Sequence, residues 1–193
     1  NYFKEYVKRG CNMMLTPLFT SPLDTAVGLE RTTTQLIKVE VVKGEYRFEF
    51  SELKRWIDLC KKCGIEYYEM SHLFSQWGAK YAPKVVAEVD GKEEKIFGWH
   101  TQAVGEYTRF LKAFLPQLIE KLKEWNIDQV TYFHISDEPR EEHLESYRVA
   151  KESLGNMLDG FHTFDALSSY EFYRHGLIDK PIPGNNEDRK SVV

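Results

Sequence analysis

The stretch "TYFHISDEPREE", residues 131–142, decides how the rest of the chain is read. A short aromatic and aliphatic run, Val130 to Ile135, stops abruptly at two adjacent acids and a proline. Its side chains alternate as in a strand, with Thr131, Phe133 and Ile135 on one face and Val130, Tyr132 and His134 on the other. The more apolar set suits cover by helices, which leaves Tyr132 and His134 on the opposite side. By the same parity Asp137 and Glu138 point apart. Both can address one place only if the strand has ended by Ser136 and the chain is turning. Pro139 fits such a turn, because it biases Glu138 toward extended backbone and then suits a first helical position.

Working outward, short apolar runs alternate with amphipathic helices. A helix over residues 2–9 precedes a strand, "CNMML", at 11–15. "SELKRWIDLCKKCG" reads as a helix capped by Ser51 and stopped by Gly64, and "IEYYEMS", residues 65–71, as the next strand. A helical period runs from Val104 to Trp125, which Pro116 is expected to kink or split. "QVTYFHI" is the third strand, followed by a helix over 139–155, a strand over 160–164 and a helix over 166–174. "DGKEEK" at 90–95 reads as a hairpin turn, with Val85, Ala87 and Val89 alternating on one side, and is a candidate flap beside a site. Strand and helix in alternation give an α/β fold with parallel strands and right-handed crossovers.

An open doubly wound sheet and a (β/α) barrel both fit that pattern. The G-x-G-x-x-G fingerprint of dinucleotide folds is missing. Barrels place chemistry on the loops after their strands, and those positions here carry "TPLFTSPLDT", "HLFSQWGAKYAP" and "SDEP". The barrel is therefore the expected architecture, although four strands are too few to close one.

Composition narrows the rest. At 193 residues and 42% hydrophobic, the chain suits one domain with a sizeable core. A net charge of -4 gives no electrostatic reason to expect nucleic acid or an anionic membrane as partner. No apolar run approaches the roughly 20 residues that span a bilayer. The chain opens at Asn1 inside a helical pattern, so any targeting signal would lie upstream. Three cysteines cannot staple a domain of this size, and "CKKC" (Cys60, Cys63) falls late in a helix with no second pair to complete a zinc site, so it reads as a helix end. No metal or other cofactor is expected. A metal-dependent hydrolase built from His72, His134, Asp137 and Glu138 is the weakest alternative, for want of a spacing such as H-E-x-x-H.

Adjacent acids at a strand tip have an ordinary reading: carboxylates near a helix start are favoured by its dipole by roughly 0.3–1 kcal/mol. They also have a chemical one. Breaking a glycosidic bond commonly uses two carboxyl groups, one protonated and one ionised, and a charged Asp penalises loss of the proton from a neighbouring, partly buried Glu. Neighbours in sequence do not easily flank a sugar from opposite faces. They suit a scheme in which the substrate's own acetamido oxygen is the nucleophile. The first acid then orients that group and the second protonates the leaving oxygen.

"MLTPLFTSPLDT", "FSQWGAKYAPKVVAEVDGKEEKIFGW" and "HISDEP", in this order, resemble glycoside hydrolase family 123 and its relatives labelled as a domain of unknown function. The likeness runs from about Asn12 to Pro183. It implies a TIM-type (β/α)8 barrel, of which residues 1–193 supply roughly strands 2 to 5. The flanking strands and a β-sandwich domain would lie outside this chain. It further implies a retaining exo-β-N-acetylgalactosaminidase using substrate assistance. Asp137 would orient the acetamido group and Glu138 act as general acid and then base. The implied partner is a glycan with a terminal β-linked N-acetylhexosamine. An incomplete barrel exposes strand edges, so self-association of this piece is expected and its activity alone is doubtful.

Other residues are candidates for substrate contact. His72, Trp77 and Lys80 fall on the loop after the second strand, where an indole face matches the C–H face of a pyranose and His72 suits a hydroxyl; Trp77 can equally be a packing anchor. Trp99 follows Gly98 before the long helix, where loop packing is favoured over sugar binding. His134, just below the acids, is placed to bond and tune a carboxylate. Asp24 in "SPLDT" suits a sugar hydroxyl or an ordinary turn. His143, His162 and His175 read as structural. The alternatives are a non-catalytic carbohydrate-binding or assembly module, or a relative acting on another glycan substrate.

Overall fold

In a computed structural model the described residues are 2–21, 26–167 and 169–183. In chain order they form α1 (Tyr2–Lys8), β1 (Met13–Thr16), β2 (Lys38–Val42), β3 (Glu45–Glu49), α2 (Ser51–Cys63) and β4 (Tyr67–Met70). Then follow β5 (Val85–Val89), β6 (Lys92–Phe97), α3 (Glu106–Glu124), β7 (Thr131–Phe133), α4 (Leu144–Ser153), β8 (His162–Leu167), α5 (Glu171–Arg174) and β9 (Lys180–Pro183).

β1, β4, β7, β8 and β9 form one sheet in that order, every pair parallel. Strand order follows chain order, whereas a doubly wound sheet turns back at a switch point. The expected mixed α/β fold with a parallel sheet is present, with five strands rather than four. β9, "KPIP", carries two prolines and so lacks two ladder donors, which hides it from pattern reading.

The two faces of this sheet differ. Tyr68, Met70, Thr131, Phe133 and Thr163 are buried, in a core shared with Leu53, Ile57 and Cys60 of α2, Phe110 and Leu111 of α3, and Tyr147 of α4. Leu15, Glu69, Tyr132, His134 and Phe164 occupy the other face. Leu15 there is 41% exposed and Ile182 of β9 is 44% exposed.

A second sheet, order β3-β2-β5-β6, comes from the two long excursions. Each of its hairpins turns in two residues of positive φ, Lys43 (52°) and Gly44 (81°), and Asp90 (48°) and Gly91 (77°), the geometry that matches strand twist. The "DG" turn is the one expected; "KG" gives a weaker signal because lysine rarely enters the left-handed region. Tyr46, Phe48 and Phe97 of this sheet pack on Phe110 of α3.

Three local expectations are corrected. α3 runs unbroken through Pro116. Both Pro116 and Lys112, whose carbonyl loses its helical donor, are solvent-exposed, so water can serve that carbonyl. Ser51 is the first helical residue rather than the cap, and its N–H donates to the Glu49 carboxylate at 2.6 Å. The helix expected over 166–174 shrinks to α5, because β8 runs on to Leu167. Gly64 does end α2, at φ 92°, with its N–H on the Cys60 and Lys61 carbonyls. Cys60 and Cys63 are buried, and burial, with Cys63 beside it, pushes the Cys60 thiol up to about 12, consistent with a packed helix end.

Candidate active site

Beyond the ends of β4 and β7 the chain does not splay. Leu73 and Phe74 donate backbone N–H bonds to the His134 and Ile135 carbonyls, both at 3.0 Å. Trp77 N–H reaches the Asp137 carbonyl at 2.9 Å, and the Ser136 hydroxyl donates to the Ser75 carbonyl at 2.8 Å. These bonds extend the pairing of the two strands into their loops, so Trp77 and Asp137 are fixed side by side.

The turn at the acids differs from its expected geometry. Glu138 sits at φ 43°, in the left-handed region rather than extended, and is exposed. Pro139 is buried, and the helical turn that follows begins only at Glu141, capped by Arg140. The proline's restriction on its predecessor is overridden because Asp137 is already tied to Trp77 and the chain must reverse at once. A non-glycine residue at such a φ costs on the order of 1–3 kcal/mol and persists where surrounding contacts over-determine it.

Beneath the acids lies a buried polar array. His134 is 2.7 Å from Asp165 Oδ1 through Nδ1 and 2.7 Å from Glu69 Oε1 through Nε2. Burial opposes its charge, but the two carboxylates prevail and raise its pKa to about 9. Asp165, fully buried, also accepts from the Tyr147 hydroxyl and from Ser136 N–H at 3.2 Å. The His134 ring is stacked between Phe164 (4.2 Å) and His72 (4.1 Å). Burial, and then the charge on His134, hold His72 well below its ordinary value. His72 Nε2 approaches Asp137 Oδ1 to 3.9 Å, too far for a hydrogen bond.

The whole of this arrangement falls within a match, over residues 1–192, to the family model described as glycoside hydrolase 123, catalytic domain. The chain belongs to glycoside hydrolase family 123. Among solved structures it is similar to a family 123 glycoside hydrolase from Clostridium perfringens, studied for the details of glycolipid glycan hydrolysis, at 18% identity and a TM-score of 0.70. That likeness covers 96% of this chain but 32% of the other, so the present chain spans about a third of that protein's length. No curated protein matches it.

Within this family 123 domain the candidate residues are distributed unevenly. His72, Trp77 and Asp137 are gathered at the end of β4 and β7. Glu138 follows Asp137 but faces solvent, so the described residues do not enclose the two acids in a common cavity. His134 does bond carboxylates, but those of Glu69 and Asp165 rather than of the acidic pair. Trp99 lies between β6 and α3, edge-on to Tyr81 at 5.8 Å, with its indole N–H on the Leu29 carbonyl at 2.8 Å. Asp24 lies outside the described residues. His143 accepts the Arg140 N–H on Nδ1 at 3.1 Å and packs under Gly78. Glu69, Asp165 and Tyr147 escaped the sequence reading. Glu69 alternates with the buried Tyr68 and Met70 on β4, whereas Asp165 lies one residue beyond the strand read over 160–164, which in the structure runs on to Leu167.

A metal reading gains proximity but not chemistry. One ligand atom each from His72, His134 and Asp165 lies within 4.8 Å of the others. As arranged, however, both nitrogens of His134 are engaged by carboxylates, so no lone pair is left for an ion. No helix among the described residues is long and apolar enough to cross a membrane.

Proposed function

We propose that this chain is the central part of a (β/α)8 barrel whose complete protein is a retaining exo-β-N-acetylgalactosaminidase working by substrate assistance. The sequential parallel order of five strands supports the barrel. So does the half-exposed face carrying Leu15 and Ile182, which further strands and the rest of the protein would cover. The observation that carries the catalytic reading is the pinned turn at the end of β7. It fixes Asp137 by backbone bonds and holds Glu138 beside it in a strained conformation.

In this scheme Asp137 accepts the acetamido N–H and steadies the group as its oxygen attacks the anomeric carbon. The bond to the leaving oxygen breaks, and the Glu138 carboxyl gives that oxygen its proton. Glu138, now a carboxylate, takes a proton from water as the water opens the cyclic intermediate, and the sugar leaves with its configuration retained. Trp77 offers its face to the pyranose. The glycolipid glycans hydrolysed by the clostridial relative fit a terminal β-linked hexosamine as substrate class. The chain alone lacks the contacts of the remaining strands, and we expect it to be inactive and to associate through its open edges.

The test uses the full-length protein and aryl N-acetyl-β-hexosaminides beside their acetamido-free counterparts. Glu138→Gln should nearly abolish cleavage of ordinary glycosides, and Asp137→Asn should harm acetamido substrates most. Equal hydrolysis of a galactoside lacking the acetamido group would remove the assisted mechanism. Sugar binding without turnover, unchanged in Glu138→Gln, would make the domain a carbohydrate-binding module instead.

A further inference from the structure

His72 is only 5% exposed, yet neither of its ring nitrogens has a hydrogen-bond partner among the described residues. A buried polar side chain left in this way is costly, and proteins seldom keep one without a use. Its Nε2 looks toward Asp137 Oδ1 across 3.9 Å, about 1 Å more than a hydrogen bond. Its ring is pressed face to face on His134. His134 contacts a carboxylate oxygen through each nitrogen, and ionised carboxylates only accept, so both nitrogens must carry protons. A second imidazolium stacked 4.1 Å away would repel it.

We propose that His72 is a positioning residue for Asp137: the carboxylates of Glu69 and Asp165 keep His134 doubly protonated, and that charged ring keeps His72 a neutral donor whose Nε2–H engages Asp137 when substrate binds. The inference rests on the substrate-assisted reading and deepens it. Asp137 must accept the acetamido N–H with one oxygen, and a donor on the other oxygen fixes the rotation of the carboxylate. A neutral imidazole supplies that donor without adding a positive charge beside the forming cation. The proton stays on His72 throughout, so no additional transfer step is introduced. Glu69 on β4, His134 immediately after β7 and Asp165 on β8 join three adjacent strands of the parallel sheet.

The experiment uses the full-length protein and aryl glycosides whose N-acyl group carries zero to three fluorines, which weaken the acyl oxygen as nucleophile in steps. Wild type should lose kcat/KM steadily along the series. His72→Phe should lower kcat for the unfluorinated substrate by roughly 100-fold with a smaller change in KM. His72→Gln, which keeps a donor near the Nε2 position, should recover most of it. The gap between wild type and His72→Phe should narrow as fluorine removes the nucleophile. Parallel lines for the two proteins would overturn the proposal, since a hydroxyl ligand or a packing residue affects every substrate alike. A wild-type rate indifferent to fluorine would instead remove the assisted mechanism, and this inference with it. Should the variants fail to fold, nitrogen NMR of wild-type histidines decides: Nε2–H with a bare Nδ1 on His72 supports the role, and a cationic or Nδ1–H His72 refutes it.

Discussion

His72 and His134 lie face to face, 4.1 Å between ring centres and 23° from parallel, and their surroundings push their pKa values in opposite directions, His72 down by burial and His134 up by its two carboxylates. The difference arises from their edges rather than their faces. His134 meets a carboxylate at each nitrogen, while the nearest charged oxygen recorded for His72 is 3.9 Å away. Charge has thus been concentrated on the ring that ties strands together, one layer below the ring that faces Asp137.

The raised pKa of His134 makes folding stability depend on alkaline pH. Its value in the fold is about 9 against an ordinary 6.5, so its contribution is complete below about pH 6.5 and lost as pH rises through 9. A shift of this size corresponds to something on the order of 3 kcal/mol. Urea denaturation between pH 6 and 10 should show that decline in wild type. His134→Gln should be less stable at neutral pH and flat across the window. A wild-type curve as flat as the variant's would show that His134 is not a cation in the fold.

Asp165 is the buried end of the array, and its partners are His134, the Tyr147 hydroxyl and Ser136 N–H. Asp165→Ala leaves the His134 charge half-compensated and should cost about 3–5 kcal/mol. Tyr147→Phe removes one bond to a charged acceptor and should cost about 1.5–3 kcal/mol. Their double variant should cost clearly less than the sum, because they share a bond. Full additivity in chemical denaturation would mean that the contact contributes nothing.

The legibility of these features follows their physics. Alternation in "VTYFHI" and the spacing of Tyr107, Phe110, Leu111, Phe114 and Leu118 report burial directly, so the strands and the long helix were readable. The β2–β3 hairpin turns at a lysine, and β9 is held in a ladder despite two prolines; there tertiary pairing outweighs local preference. The acidic pair stood out because charge at a strand tip is conspicuous. Glu69 and Asp165 did not, because their role comes from cross-strand register, which no single segment encodes. The φ of Glu138 was misjudged for the same reason: the bond from Trp77, far away in sequence, sets the turn.

Among the described glycines, Gly78 leaves the least room for a side chain. It holds φ 119°, and a Cβ there would stand 2.9 Å from His143 Cβ and Cγ. Gly91, at φ 77° with nothing within 4 Å of such a Cβ, is the control for backbone strain alone. Gly91→Ala should cost about 1–3 kcal/mol. Gly78→Ala should cost more and also lower glycosidase activity of the full-length protein, because His143 and the adjoining Trp77 must shift. Equal stability losses and unchanged activity would show that the contact with His143 yields freely.

Trp77 tests whether an aromatic beside Asp137 serves the sugar or the loop. The residue is 38% exposed although its backbone is fixed at φ 56° and its backbone N–H is bound to the Asp137 carbonyl. Trp77→Ala keeps that backbone bond and the same strain, so its stability change should stay within about 0.5 kcal/mol, as for other surface substitutions. Losing the apolar face should cost about 1–2 kcal/mol of sugar contact. That raises KM for the glycoside roughly tenfold and leaves kcat nearly unchanged, since the contact is made equally before and during reaction. Trp77→Phe should retain most of the affinity. Thermal melts and steady-state kinetics on the full-length protein separate the two roles. A melting point lowered by several degrees with KM unaltered would make Trp77 a loop anchor and leave the sugar-binding face to be sought elsewhere at this end of the sheet.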